Sequence, residues 1–168
     1  MSYVTPPKDE SSPYPIAARL IQGFQEFEHL KDGEPRIEFL YALKPVVKKG
    51  RQIIGQAHIP SVQGQLKGVF DWLLAKLFDG TPDFLITLDN EYWQDADART
   101  REILVFHELS HCVQKTDKDG DPRFDEEGRT VWGLQSHDVE EFKATVARYG
   151  AHNQELREFI AAAGTIKP

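Results

Sequence analysis

The sequence predicts an α+β domain in which helices pack on a small, three-stranded mixed sheet. Three observations carry this. Apolar residues recur at helical spacing in several separate stretches, and they alternate or run unbroken over strand length in three others. In the middle of the chain a strand, a helix and a strand follow one another, which calls for a right-handed crossover and a parallel pair. With 168 residues, the chain is long enough to bury one core without cross-links.

Taken in order, residues 1–15 hold four of the ten prolines among Ser, Asp, Glu and Lys. They read as an irregular arm ahead of a single domain spanning 16–168. Ile16, Ala17, Leu20, Ile21, Phe24, Phe27 and Leu30 then repeat at helical spacing, and Asp32-Gly33 closes the helix. Ile37, Phe39, Tyr41 and Leu43 alternate in a strand stopped by Pro45. Gln52–Ile59 reads as a second strand, joined to the first through Lys48-Lys49-Gly50 as an antiparallel hairpin. Ser61 caps a helix whose stripe runs through Val62, Leu66, Val69, Phe70, Leu73, Leu74, Leu77 and Phe78, with Gly80 near its end. Phe84–Leu88 is a short, nearly all-apolar strand. Lys115–Arg129 is a polar loop. Val139, Phe142, Val146 and Tyr149 mark a later helix, and Asn153 caps a short terminal one.

Between the last strand and the polar loop, the spacing predicts a helix over 100–114 with Asp97 as N-cap. It carries His107-Glu108-Leu109-Ser110-His111, an HExxH string. Imidazoles four residues apart share one helix face and can reach a single metal ion. A glutamate directly after the first His projects near the same point, where it can take a proton from an activated water. His107 and His111 are therefore candidate ligands and Glu108 the candidate general base of a zinc-dependent hydrolase. Its expected substrate is a polypeptide. Cys112 points away from this face and reads as core.

A catalytic zinc takes three protein ligands plus a water. The continuation Cys112-Val113-Gln114-Lys115-Thr116-Asp117 lacks the Gly and His of the metzincin pattern. His137, where a loop enters a helix, is the leading third ligand. Glu141 stands second and Glu140 behind it, since both suit the first turn of a helix as dipole partners. Arg148, Tyr149 and His152 are candidate donors to an oxyanion or to substrate. Tyr92 and Trp93 could line a cleft, although core positions explain them as well. Asp117, Asp119, Asp121 and Asp125 evoke a calcium loop, but Pro122 and Gly128 occupy its Gly and Glu positions. His29 reads as a surface histidine and His58 as a structural one.

Asp83-Phe84-Leu85-Ile86 followed by Trp93, then His107-Glu108-Leu109-Ser110-His111-Cys112, His137-Asp138-Val139-Glu140-Glu141-Phe142 and Arg148-Tyr149-Gly150, together resemble the phage-type metallopeptidase family. The resemblance spans roughly residues 35–150. The HDVEEF segment is also similar to the His-Gly-x-x-Phe element of SprT-like proteases, with Asp138 in place of the Gly. The resemblance implies His137 as third ligand, Glu108 as base, Zn2+ as cofactor and a phage or prophage origin. It names no substrate. The arrangement also resembles the minimal zincin scaffold, where an edge strand beside the active-site helix pairs with extended substrate. The alternative is a non-catalytic, zinc-stabilised binding or regulatory protein of phage or prophage origin.

Composition narrows the partners. The net charge of −7 argues against broad binding of nucleic acid. No apolar run is long enough to span a membrane, and the N-terminus lacks a signal pattern. A single cysteine excludes an intramolecular disulfide and fits a reducing compartment. The cytoplasm, of a host cell if the chain is phage-encoded, is the expected location, and oligomeric state is left open.

Overall fold

A computed structural model describes residues 2–139, 146, 150–151 and 154–164. The chain divides into two compact units, Met1–Gln135 and Ser136–Pro168. The first is an α+β unit built on a four-stranded sheet.

That sheet contains β1 (Tyr3–Val4), β2 (Ile37–Ala42), β5 (Gly55–His58) and β6 (Phe84–Asp89) in the order β1-β2-β6-β5. The parallel pair is β2 with β6, with Phe39 opposite Ile86 and Tyr41 opposite Leu88; the strand directly before the 67–78 helix, expected to run parallel to 84–88, pairs with it antiparallel instead. The predicted hairpin between 37–43 and 52–59 does not form. Its two strands lie on opposite sides of β6, with β5 antiparallel to it. The chain makes this transfer through a separate ribbon, β3 (Val46–Lys48) with β4 (Arg51–Ile53). Lys49 and Gly50 both have positive φ, 51° and 75°, the two-residue loop geometry whose twist matches the flanking strands. Tyr3–Val4, expected to be irregular, adds the fourth strand by pairing with Tyr41 and Ala42.

The first helical stretch is broken into α1 (Pro13–Gly23), a 3-10 turn and α2 (Glu28–Gly33), because Phe24 is extended with φ −117°. This turn lets both Phe24 and Phe27 meet Phe106 edge-to-face, with centroids 5.6 and 4.8 Å away. α3 (Lys67–Phe78) starts later than Ser61 and buries only Leu74 and Phe78. Leu66, Val69, Leu73 and Leu77 of its predicted stripe are more than half exposed. Its C-terminus is fixed to the sheet by the Arg36 guanidinium, which donates to the Phe78 and Asp79 carbonyls and suits the negative end of the helix dipole.

After β6 come α4 (Asn90–Asp95) and α5 (Ala98–Ser110). The Asp97 carboxylate accepts the Thr100 N–H at 2.7 Å, so this expected cap is present. α5 stops at Ser110 rather than at Gln114. Cys112–Gln114 is a strand, β7, paired with β8 (Trp132–Leu134). The intervening polar segment is a continued hairpin with bridges Thr116–Pro122 and Phe124–Thr130. Asp117 and Asp125 spend their carboxylates on backbone N–H groups of its two bends, which leaves the solvated-loop reading in place of a calcium site.

The core runs through Leu20, Phe27, Phe39, Phe84, Ile86, Leu88, Trp93, Val105 and Leu109, all 1% exposed or less. Trp93 is therefore core. Burying side chains of this size contributes about 1.5–3 kcal/mol each, and α1, β5 and β7 all pack against α5. That packing fixes the helix that carries the HExxH string. In the second unit the terminal helix, α6, spans Gln154–Gly164 and buries Leu156. Among the described residues, no helix is long and apolar enough to cross a membrane.

Candidate active site

His107 and His111 lie one turn apart at the C-terminal end of α5. Their rings stand at 83° with centroids 5.0 Å apart, and each offers a nitrogen within 4.8 Å of the other's. His107 is exposed and His111 half-buried, so the face they share opens to solvent. Position i and i+4 on one helix brings this about.

His111 is oriented by a hydrogen bond that its own sequence neighbourhood does not announce. Its Nδ1 lies 2.8 Å from the Gln135 carbonyl. A carbonyl only accepts, so Nδ1 carries the proton and donates it, leaving the Nε2 lone pair for a metal. Gln135 is itself pinned at the helix end. Its backbone N–H donates to the His111 carbonyl at 2.9 Å, and its Nε2 donates to the Ser110 carbonyl at 2.6 Å. These bonds satisfy carbonyls that the last turn of α5 leaves open, and they come from a residue 24 positions further on. No short-range pattern could have found it. His29, expected at the surface, is half-buried, and its Nε2 meets the Cys112 carbonyl at 2.8 Å, clamping the other side of the same junction.

Glu108 faces the sheet. It is 2% exposed and lies over the edge strand β5. The Ala57 N–H donates to its carboxylate, and burial pushes its pKa up to about 7 against that bond's opposite pull. Oε2 is buried and has no hydrogen-bond partner among the described residues. A Cβ on Gly55 would come within 2.8 Å of the Glu108 carboxyl carbon, so only glycine lets strand and carboxylate approach this closely. Gly55 gave no signal as a site residue in the sequence. A buried carboxyl with one oxygen unanswered needs a reason, and a water shared with a metal on the neighbouring imidazoles supplies one. The donor set of neutral imidazole nitrogens on an accessible face suits a borderline metal such as zinc.

The open side of β5 follows from its register. Asp89 N–H donates to the Ile54 carbonyl, so residue 54 and its alternates face β6. Gly55 and Ala57 turn their peptide groups the other way, towards α5, where Ala57 N–H meets Glu108. Beside this edge lies a cavity of about 330 Å3 lined by Ile53, Gly55, Tyr92, Ile103, Leu104, His107 and Glu108, among others. Tyr92 thus lines the cleft, and Trp93 does not.

Cys112 is fully buried and its thiol is pushed up to about 12, first by burial and then by Glu108. It is a core residue and not a nucleophile. His58 is half-buried on β5, 3.4 Å from the Thr87 hydroxyl, in the structural role expected of it. His137 is an exposed residue of the second unit, two positions after Gln135. Glu140, Glu141, Arg148, Tyr149 and His152 lie outside the described residues.

Residues 8–164 match a family described as "Putative phage metallopeptidase". No curated protein and no solved structure matches the chain.

Proposed function

The chain belongs to the phage metallopeptidase family, and from that premise we propose that it is a zinc-dependent metallopeptidase of the HExxH type. Its proposed ligands are His107, His111 and His137. His137 is the proposed third ligand because Gln135 is bonded to His111, and two residues of chain reach no more than about 7 Å between Cα atoms. Glu141 is the alternative third ligand. Zn2+ bound there would supply Lewis acidity and a water of lowered pKa.

The single observation that carries the reading is Glu108, a buried carboxyl with one oxygen held by the edge strand and the other unanswered, next to His107. Glu108 takes the proton of the attacking water and returns it to the departing amine. In the metal-free protein burial raises the Glu108 pKa, which favours a carboxyl able to hold a proton as well as release it. Ala57 N–H holds the carboxylate against rotation. The outward peptide groups of Gly55, together with the Ala57 carbonyl, are free of β6 and align an extended substrate by strand addition. Arg148 and Tyr149 are the proposed donors to the oxyanion.

The test is cleavage of an unbiased peptide library by wild type and by Glu108→Gln, read by mass spectrometry. Wild type should yield products that chelator abolishes and Zn2+ restores, while Glu108→Gln should be slower by roughly 100-fold or more. Products that persist at the wild-type rate in Glu108→Gln would remove Glu108 from the reaction.

A further inference from the structure

The acidic residues of this chain are distributed unevenly. Although Asp and Glu number 27, none occurs between Phe39 and Phe70, while Lys44, Lys48, Lys49, Arg51 and Lys67 all do. Four of these cations fall on or beside the β3–β4 ribbon, and Lys67 pairs with Asp71 elsewhere. Within the ribbon Lys48 stands directly opposite Arg51. Like charges in that position destabilise a two-stranded pair. Both are exposed, and neither has an ion-pair partner among the described residues.

The ribbon is placed to act on whatever occupies β5. Side chains two apart on a strand share a face, so Lys48 and Arg51 lie on the same face as Val46 and Ile53. Ile53 lines the 330 Å3 cavity beside His107 and Glu108, and the rest of that wall is Tyr92, Ile103 and Leu104. The charge of Lys48 is felt at His58 on the edge strand, where it adds to burial in lowering the His58 pKa. An apolar slot and a pair of unanswered cations therefore lie along one line, separated by two residues or about 7 Å.

We propose that the β3–β4 ribbon is a specificity element. It selects polypeptides that set an apolar side chain in the cavity and an Asp- or Glu-rich flank, two to four residues away, against Lys48 and Arg51. The inference rests on the peptidase reading and names its substrate class. A peptide fits better than a nucleic acid because the cavity accepts an aliphatic side chain. The exposed apolar residue of the ribbon's strands is Val47, at 64%, and not an aromatic on which bases could stack.

Binding tests this without requiring turnover. The Glu108→Gln protein is titrated, by fluorescence anisotropy, with twelve-residue peptides carrying a central Leu flanked by Glu, by Gln or by Lys. At 50 mM salt the Glu-flanked peptide should bind about 10-fold more tightly than the Gln-flanked one, and the gap should shrink at 300 mM. Adding Lys48→Glu and Arg51→Glu should reverse the order in favour of the Lys-flanked peptide, whereas Lys48→Arg with Arg51→Lys should keep it. Equal binding of all three peptides would overturn the proposal, and so would a preference that survives charge reversal. Tighter binding of a single-stranded oligonucleotide, lost on charge reversal, would overturn it in favour of a nucleic-acid surface. Charge-selective binding with no cleavage by wild type would defeat the peptidase reading alone. Cleavage that ignores flanking charge would defeat this inference alone.

Discussion

Glu108→Gln should stabilise the metal-free protein at pH 8 and leave its stability nearly unchanged at pH 4.5. The carboxyl is 2% exposed and its pKa rises from 4.5 to about 7 on folding. Below 4.5 the group is protonated in both folded and unfolded chains and contributes no difference. As pH rises from 4.5 to 7 the unfolded chain releases the proton first, so stability falls with pH through that window and levels off above it. The full span corresponds to about 3 kcal/mol. Glutamine keeps an oxygen for the Ala57 N–H and has no charge to desolvate, so the variant escapes the loss. Urea denaturation in excess chelator, at intervals from pH 4.5 to 8, measures it, and the histidines common to both proteins cancel in the difference. The variant should gain between 1 and about 3 kcal/mol over wild type by pH 8. Equal stability at pH 8, or a more stable wild type, would show that Glu108 is hydrated and that its role as a poised base is misassigned.

Gly55→Ala should leave the far-UV circular dichroism unchanged but lower peptide kcat/KM at least about 10-fold, because the new methyl group displaces the Glu108 carboxylate; unchanged activity would show that the close approach is incidental. Gln135→Ala removes the bond to the Ser110 carbonyl and should cost about 1 kcal/mol in urea denaturation. Asp97→Ala removes the cap on Thr100 N–H and should lower the urea midpoint in the same assay. The Cys112 thiol, buried and pushed up to about 12, should react with a thiol reagent at pH 8 only after denaturant is added, and Cys112→Ala should retain activity.

The juxtaposition of His107, Glu108 and His111 was legible in the sequence because HExxH is a local device. Five consecutive residues and a helix suffice to bring two imidazoles and a carboxylate together. The Asp97 cap and the strands at 37–42 and 84–89 were legible for the same reason, since each rests on short-range pattern. What escaped depends on distant partners. Ile103 to Val113 keeps a helical apolar pattern around the HExxH string without Gly or Pro, so nothing local ends the helix at Ser110; pairing of Cys112–Gln114 with Trp132–Leu134 does. Gln135 orients His111 from 24 residues away. The side of β6 taken by Gly55–His58 is decided by the ribbon that carries the chain across, and half of the apolar stripe on α3 faces solvent. Gly55 became meaningful only when Glu108 was seen against it.

We propose that His107, His111 and His137 together hold a single metal ion next to Glu108. Metal content tests it most directly: wild type, His111→Ala, His137→Ala and Glu108→Gln are purified without chelator or added metal and measured by plasma emission spectrometry. About one zinc per chain in wild type and Glu108→Gln is predicted, with loss in both histidine variants. Full occupancy in His137→Ala would remove the third ligand, and an empty wild type that fails to take up Zn2+ would contradict the account.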